Sequence, residues 1–192
     1  LDKVNQQKLR RRLAACLQAG QILMLPTDTV YGLSCRADRA AAVKKIFAIK
    51  RRNSNKPLLV LVSSITMAKR FCLINAKQTA ALKKIWAQAR PTSVLLPQRG
   101  LLPAILTANS PYLAVRLPKS IFLRKIVRAV GVPLVSTSAN FSGREILNAA
   151  AAIIAFKKEP RPDLIVAGSQ KMKRPSRLLV LSANGDFKIL RK

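Results

Sequence analysis

The chain has 192 residues, 36 Lys+Arg against 7 Asp+Glu, a net charge of +29, no histidine and 49% apolar residues. That apolar share is ample for a core and argues against global disorder. No apolar run, Leu58 to Val62 included, is long enough to cross a bilayer, and the absence of histidine excludes a Ser-His or Cys-His catalytic dyad.

Along the chain, Leu9, Leu13, Cys16 and Leu17 recur at helical spacing, which predicts a helix over 4–19 ended by Gly20. A short apolar strand follows over 21–25. Residues 39–51 read as a helix with Val43, Ile46, Phe47 and Lys50 on one stripe, and 58–62 as a strand covered on both faces. Helices are expected over 65–71 and 75–86, and strands over 93–96 and 113–117. Pro118 suits the start of a helix that buries Phe122, Ile126 and Val130 and closes at Gly131. A strand over 133–135, a helix over 148–156 and a strand over 164–167 come next. Strands over 178–181 and 187–190 flank Asn184-Gly185, a signal for a two-residue hairpin turn. Residues 98–111 and 170–175 are the longest expected loops.

Strands alternating with helices point to α/β, and the terminal hairpin makes the sheet mixed. The length favours a single domain over 1–192. The chain opens Leu-Asp-Lys with no signal-peptide pattern and no Met, as a trimmed or partial chain would. Cys16, Cys35 and Cys72 are odd in number and form no CxxC pair, so a reducing, cytoplasmic setting and no protein metal site are expected.

Two blocks carry chemistry. Pro26-Thr27-Asp28-Thr29-Val30-Tyr31-Gly32-Leu33 and Ser136-Thr137-Ser138-Ala139-Asn140 each follow an apolar run and are dense in hydroxyls. Strand ends of this kind are where open α/β sheets hold ligands. Between them lie Lys50, Arg52 and Lys56, and Arg116 interrupts the apolar run Leu113–Leu117. A cation in a covered strand needs an anion. Hydroxyls and cations with almost no acid describe a pocket for phosphates and carboxylates. Each block alone also reads as a turn, an N-cap or a solvated helix end. The +29 charge favours polyanions such as RNA, with solubility as the alternative.

Together, and in order, the blocks resemble the YrdC-like family of threonylcarbamoyl-AMP synthases. The matching text is Pro-Thr-Asp-Thr-Val-Tyr-Gly-Leu, Lys50-x-Arg52 with Lys56-Pro57-Leu58, Ala114-Val115-Arg116-Leu117-Pro118, and Pro133 through Asn140 with Ser142-Gly143. The resemblance implies a twisted open mixed sheet flanked by helices, YrdC/RibB-like. It implies an enzyme joining L-threonine, bicarbonate or CO2, and ATP into threonylcarbamoyl-AMP and pyrophosphate for tRNA modification. It places Thr29, Arg116, Ser136 and Ser176 at threonine, and Arg52, Lys56, Ser138, Asn140 and Arg191 at ATP. Lys50 and Arg52 become the catalytic cations, and Mg2+ comes with the ATP. Contact with tRNA or double-stranded RNA, and with downstream threonylcarbamoyl transferase proteins, would follow. The chain departs from the family pattern at Arg90, Ser93, Tyr112, Arg177 and Val180. The rival expectation is an RNA-binding module of the same fold without synthase activity.

Overall fold

The backbone is organised by one nine-stranded sheet. The computed structural model describes residues 3–145, 147–157, 160–168 and 175–191. In chain order the elements are α1 (Lys3–Gln18), β1 (Leu23–Leu25), β2 (Gly32–Arg36), α2 (Ala40–Lys50), β3 (Leu59–Leu61), α3 (Ile65–Phe71), α4 (Ala76–Ala87) and β4 (Thr92–Pro97). Then come α5 (Ala104–Thr107), β5 (Tyr112–Arg116), α6 (Ile121–Val130), β6 (Leu134–Ser138), α7 (Ala149–Ala155), β7 (Leu164–Ile165), β8 (Arg177–Leu181) and β9 (Phe187–Arg191). The strands lie in the order β7-β1-β2-β6-β3-β5-β4-β8-β9. β1/β7, β3/β5 and β4/β8 are parallel and the other pairs antiparallel, so the sheet is mixed and open.

Local chemistry sets the helix ends. Asn75 and Gln78 form a reciprocal capping box, the Asn75 side chain accepting from Gln78 N at 2.8 Å and Gln78 accepting from Asn75 N at 3.1 Å. α6 begins after Ser120, whose hydroxyl accepts from Leu123 N, and stops at Gly131 with φ 83. Pro118 therefore lies outside the helix. The backbone N–H of Lys119 is committed to the Asp28 carboxylate at 2.9 Å, which holds this segment extended until Ser120 can cap. α6 buries Leu123, Ile126, Val127 and Val130, whereas Phe122 is half-buried.

Four other expectations shift. β2 is a strand where no strand was expected, because Gly32 turns the hydroxyl block straight back into the sheet with Leu25 opposite Gly32. β6 runs on to Ser138, so Ser136 and Ser138 are strand residues rather than a loop after the strand. The terminal hairpin closes at Ser182 and Asp186, joined at 2.9 Å, leaving Ala183-Asn184-Gly185 as a three-residue turn with Gly185 at φ 95. Within the expected loop over 98–111 sits the short helix α5. Of the loop expected over 170–175, all but Pro175 lies outside the described residues.

Register sorts the sheet into two faces. Val60, Val94, Leu96, Leu113, Val115 and Val135 point one way and are at most 1% exposed. They join Leu13, Leu82 and Ile126 of the helices in a single apolar core. The other face carries the polar residues of the site.

Candidate functional site

Two rows of paired residues cross the sheet on that second face. Leu59 lies opposite both Ser136 and Ala114, and Ala114 opposite Leu95. Ser93 lies opposite both Arg116 and Leu178, and Leu178 opposite Arg191. Period-two alternation keeps all of these on one side. They floor a cavity of about 540 Å3. Its walls come from Thr27, Thr29, Arg52, Ser138, Asn140 and Ser176.

Of the sequence-predicted residues, Thr29, Arg52, Arg116, Ser136, Ser138, Asn140, Ser176 and Arg191 all line this one cavity. Arg116 and Arg52 thus share a hollow although they lie far apart in the chain. Lys50 and Lys56 do not line it. Lys56 is exposed, and only its carbonyl meets the site, accepting from Arg52 Nε at 3.0 Å.

Arg116 is 3% exposed. Its Nη1 donates to Thr29 Oγ1 at 3.0 Å, and its Nη2 lies 3.4 Å from Asp28 Oδ1. Its Nε has no hydrogen-bond partner among the described residues. Burial pulls its pKa below the usual arginine value, with Asp28 opposing and Arg191 assisting. A guanidinium this dry, with its Nε unpartnered, is prepared for an anion. Asp28 is the residue that sequence reasoning passed over. The signal was present, since a cation in a covered strand requires an acid and the Thr27-Asp28-Thr29 block holds one of only seven. The hydroxyl block is itself folded by Thr27, whose Oγ1 donates to Val30 O at 2.6 Å and accepts from Thr29 N at 3.1 Å.

Arg52 is held at the rim. Its Nε and Nη2 donate to Lys56 O and Pro57 O, each at 3.0 Å, and burial lowers its pKa. The turn before it is unusual. Arg51 caps α2 in the left-handed region with φ 49, and its guanidinium stacks over the Phe141 ring at 5.1 Å. This turn sends Lys50 inward and Arg52 toward the cavity. Lys50, 1% exposed, donates to Ser138 O, to Asn140 O at 2.7 Å and to Asn140 Oδ1 at 3.2 Å. Its ammonium ties the end of β6 to the end of α2 from behind the cavity wall. At the far side, Ser93 Oγ and Ser176 Oγ are 2.9 Å apart, and Arg191 donates to Ser176 O at 2.9 Å. Ser93, one of the departures from the family pattern, supplies the hydroxyl that meets Ser176.

The sequence profile described as Sua5/YciO/YrdC, telomere recombination, matches residues 15–192. The chain belongs to the Sua5/YciO/YrdC family. It is 30% identical to the threonylcarbamoyl-AMP synthase of Neisseria gonorrhoeae over 135 residues, covering 70% of this chain and 71% of that one. Its backbone superposes on P. abyssi Sua5 complexed with L-threonine with a TM-score of 0.81 and 26% identity, covering 92% of this chain. It spans about half, 51%, of that Sua5 chain. E. coli YciO shares the fold, with a TM-score of 0.81 at 19% identity over 97% of this chain and 89% of that one. The Sua5/YciO/YrdC fold is thus an open mixed sheet with helices, and in this member one sheet face floors the cavity.

Proposed function

We propose that this protein is a threonylcarbamoyl-AMP synthase, a nucleotidyltransferase acting on L-threonine, bicarbonate or CO2, and ATP. The observation that carries this reading is the one cavity in which Arg116, Arg52 and Arg191 converge with the side chains of Thr29, Ser136, Ser138, Asn140 and Ser176 from separate stretches of the chain. Threonine brings a carboxylate, ATP a triphosphate, and carboxylated threonine a second carboxylate. Cations gathered in one low-dielectric hollow can hold three such anions side by side.

The threonine carboxylate suits Arg116, whose Nε is buried and unused, with Thr29, Ser136 and Ser176 around it. The triphosphate suits the rim of Arg52, Ser138 and Asn140, with Arg191 in the same cavity. The threonine nitrogen forms a bond to carbon of CO2 and loses a proton to bicarbonate or water. An oxygen of the resulting carbamate then bonds the α-phosphorus. The bond from that phosphorus to the β-bridging oxygen breaks, and pyrophosphate leaves with its electron pair. No protein nucleophile takes part. Positioning and charge neutralisation supply the rate.

Mg2+ belongs with this chemistry as a neutraliser of phosphate charge. Among the described residues no three His, Cys, Asp or Glu side chains gather at one point. A divalent ion would be held by triphosphate oxygens and water beside the cavity's hydroxyls, where it would neutralise phosphate charge. The product would serve threonylcarbamoyl-adenosine formation in tRNA. RNA and the transferase proteins of that step are the proposed macromolecular partners. No helix among the described residues is long and apolar enough to cross a membrane. The free thiols Cys16, Cys35 and Cys72 suit the proposed cytoplasmic setting.

The deciding assay is pyrophosphate release. The synthase reading expects release that requires L-threonine and bicarbonate together. Release indifferent to threonine, with RNA binding intact, would instead identify an RNA-binding module.

A further inference from the structure

We infer that RNA docks on a cationic belt formed by α3, α6 and the Arg99 loop, a surface separate from the cavity. The inference rests on the RNA partner proposed above and not on the synthase activity.

Hydrogen bonds join the belt into one surface. Arg70 at the end of α3 donates to Gly131 O at the end of α6, at 3.4 Å. Arg99 Nε donates to Lys69 O at 3.1 Å and to Cys72 O at 3.3 Å. Gln18 at the end of α1 donates to Ala129 O at 3.2 Å, and α1 packs along α6. Lys69, Arg70, Arg99, Lys125 and Arg128 are all exposed, and Arg124 is half-buried. None of the six lines the cavity.

The belt has no internal counter-charge. α1, α3 and α6 contain no Asp or Glu. Among the described residues the acids are Asp28, Asp38, Glu145, Asp163 and Asp186. Asp28 is buried against Arg116, while Asp38 pairs with Arg36 at 2.6 Å and Asp163 with Lys45 at 2.7 Å. Asp186 sits in the terminal hairpin. Lys69, Arg124, Lys125 and Arg128 make no side-chain hydrogen bond or ion pair among the described residues. Like charges gathered on one surface without acids repel one another, and an external polyanion relieves that repulsion.

The partner is a phosphate backbone rather than a lipid surface. A helix that lies on a membrane inserts an apolar face. In α6 Leu123, Ile126, Val127 and Val130 are buried in the core, and of its large apolar residues Ile121 alone, in the first turn, is exposed. Beyond that residue, α6 offers outward Lys125 and Arg128, with half-buried Arg124 one turn, roughly 6 Å, before Arg128. Two arginines are held in place by backbone carbonyls at the adjoining edge. Such a surface reads phosphates and shape without base contacts.

The test measures binding of a short labelled RNA duplex by fluorescence anisotropy from roughly 50 to 200 mM salt. The triple variant Lys69→Gln/Lys125→Gln/Arg128→Gln removes three exposed belt cations. Its partner variant Arg39→Gln/Lys44→Gln/Lys77→Gln removes three exposed cations elsewhere. The belt variant is expected to bind at least about tenfold more weakly and to lower the slope of log K against log salt by about two to three. The partner variant should change both little. Threonine-dependent pyrophosphate release is read in the same proteins and stays at the wild-type rate in the belt variant. Equal losses in the two variants would show generic charge and overturn the placement. So would wild-type protein that ignores the duplex, or that binds anionic phospholipid vesicles in preference to it.

Discussion

Lys50 and Asn140, ninety positions apart, are joined twice, the buried ammonium donating to the asparagine's backbone carbonyl at 2.7 Å and to its side-chain oxygen at 3.2 Å. With Ser138 O as third acceptor, the contact saturates an ammonium and leaves none of its protons for substrate. Asn140 Oδ1 also accepts from Ser138 Oγ at 2.6 Å, so one cation sets the orientation of both rim side chains.

That contact has a pH signature. Burial, reinforced by Arg52, lowers the Lys50 pKa to about 7 from 10.5, against three oxygens that only the charged form can satisfy together. Below pH 7 the lysine is protonated in both the folded and unfolded chain, and the cost of burying it is carried in full. Between about 7 and 10.5 the unfolded chain binds the proton and the folded chain releases it, so stability rises with pH. Urea unfolding of wild type and Lys50→Met across this window should show the difference moving in favour of wild type. A constant difference would mean that the oxygens keep the proton on.

Arg116 and Asp28 form a buried pair, and breaking it from one side leaves a stranded charge. Arg116→Ala is expected to lose about 3–5 kcal/mol of stability together with threonine-dependent turnover. The double variant Asp28→Asn/Arg116→Met should regain much of the stability and none of the turnover. Denaturant midpoints and pyrophosphate release, measured side by side, separate the two effects. Activity in the double variant would remove Arg116 from the threonine site.

Arg52 makes a different prediction, because it is only half-buried and bonded to two carbonyls. Arg52→Ala should cost roughly 1–2 kcal/mol of stability. Turnover should fall by about two orders of magnitude or more, as for loss of a charge contact to the transition state. Steady-state kinetics in saturating threonine and ATP tests this. Near-normal kcat would place the triphosphate elsewhere.

Gly32 is needed for space rather than for backbone freedom. A Cβ there would lie 3.1 Å from Thr27 Cγ2 and 3.2 Å from Thr137 O. The carbonyl belongs to β6 and cannot turn aside, so the Thr27 side must move. Gly32→Ala should destabilise by about 1–3 kcal/mol and raise the KM for threonine more than that for ATP, since Thr27 braces Thr29. An unchanged threonine KM would show that the hydroxyl block tolerates displacement.

The helices were legible because their information is local. The stripe Val43, Ile46, Phe47 and Lys50 is buried as its spacing implies, and Asn75 and Ser120 cap as their chemistry allows. β2 was not legible, because a strand of Gly-Leu-Ser-Cys-Arg following a hydroxyl-rich turn carries no clear alternation and owes its form to β1 and β6 on either side. The hairpin turn was misjudged for a related reason. Asn184-Gly185 marks a turn, but the Ser182 to Asp186 pairing sets its length.

The chain by itself determined the alternation of helices and strands, the want of acid, and which residues carry cations and hydroxyls. The tertiary structure alone decided that Arg116, Ser93, Leu178 and Arg191 share one row, that Asp28 answers Arg116, and that Lys50 faces inward while Arg52 faces the cavity. Periodicity reports the near neighbours of a residue along its own element. Which strand lies beside which, and in what register, depends on burying the whole apolar core at once, and no short stretch of sequence contains that sum.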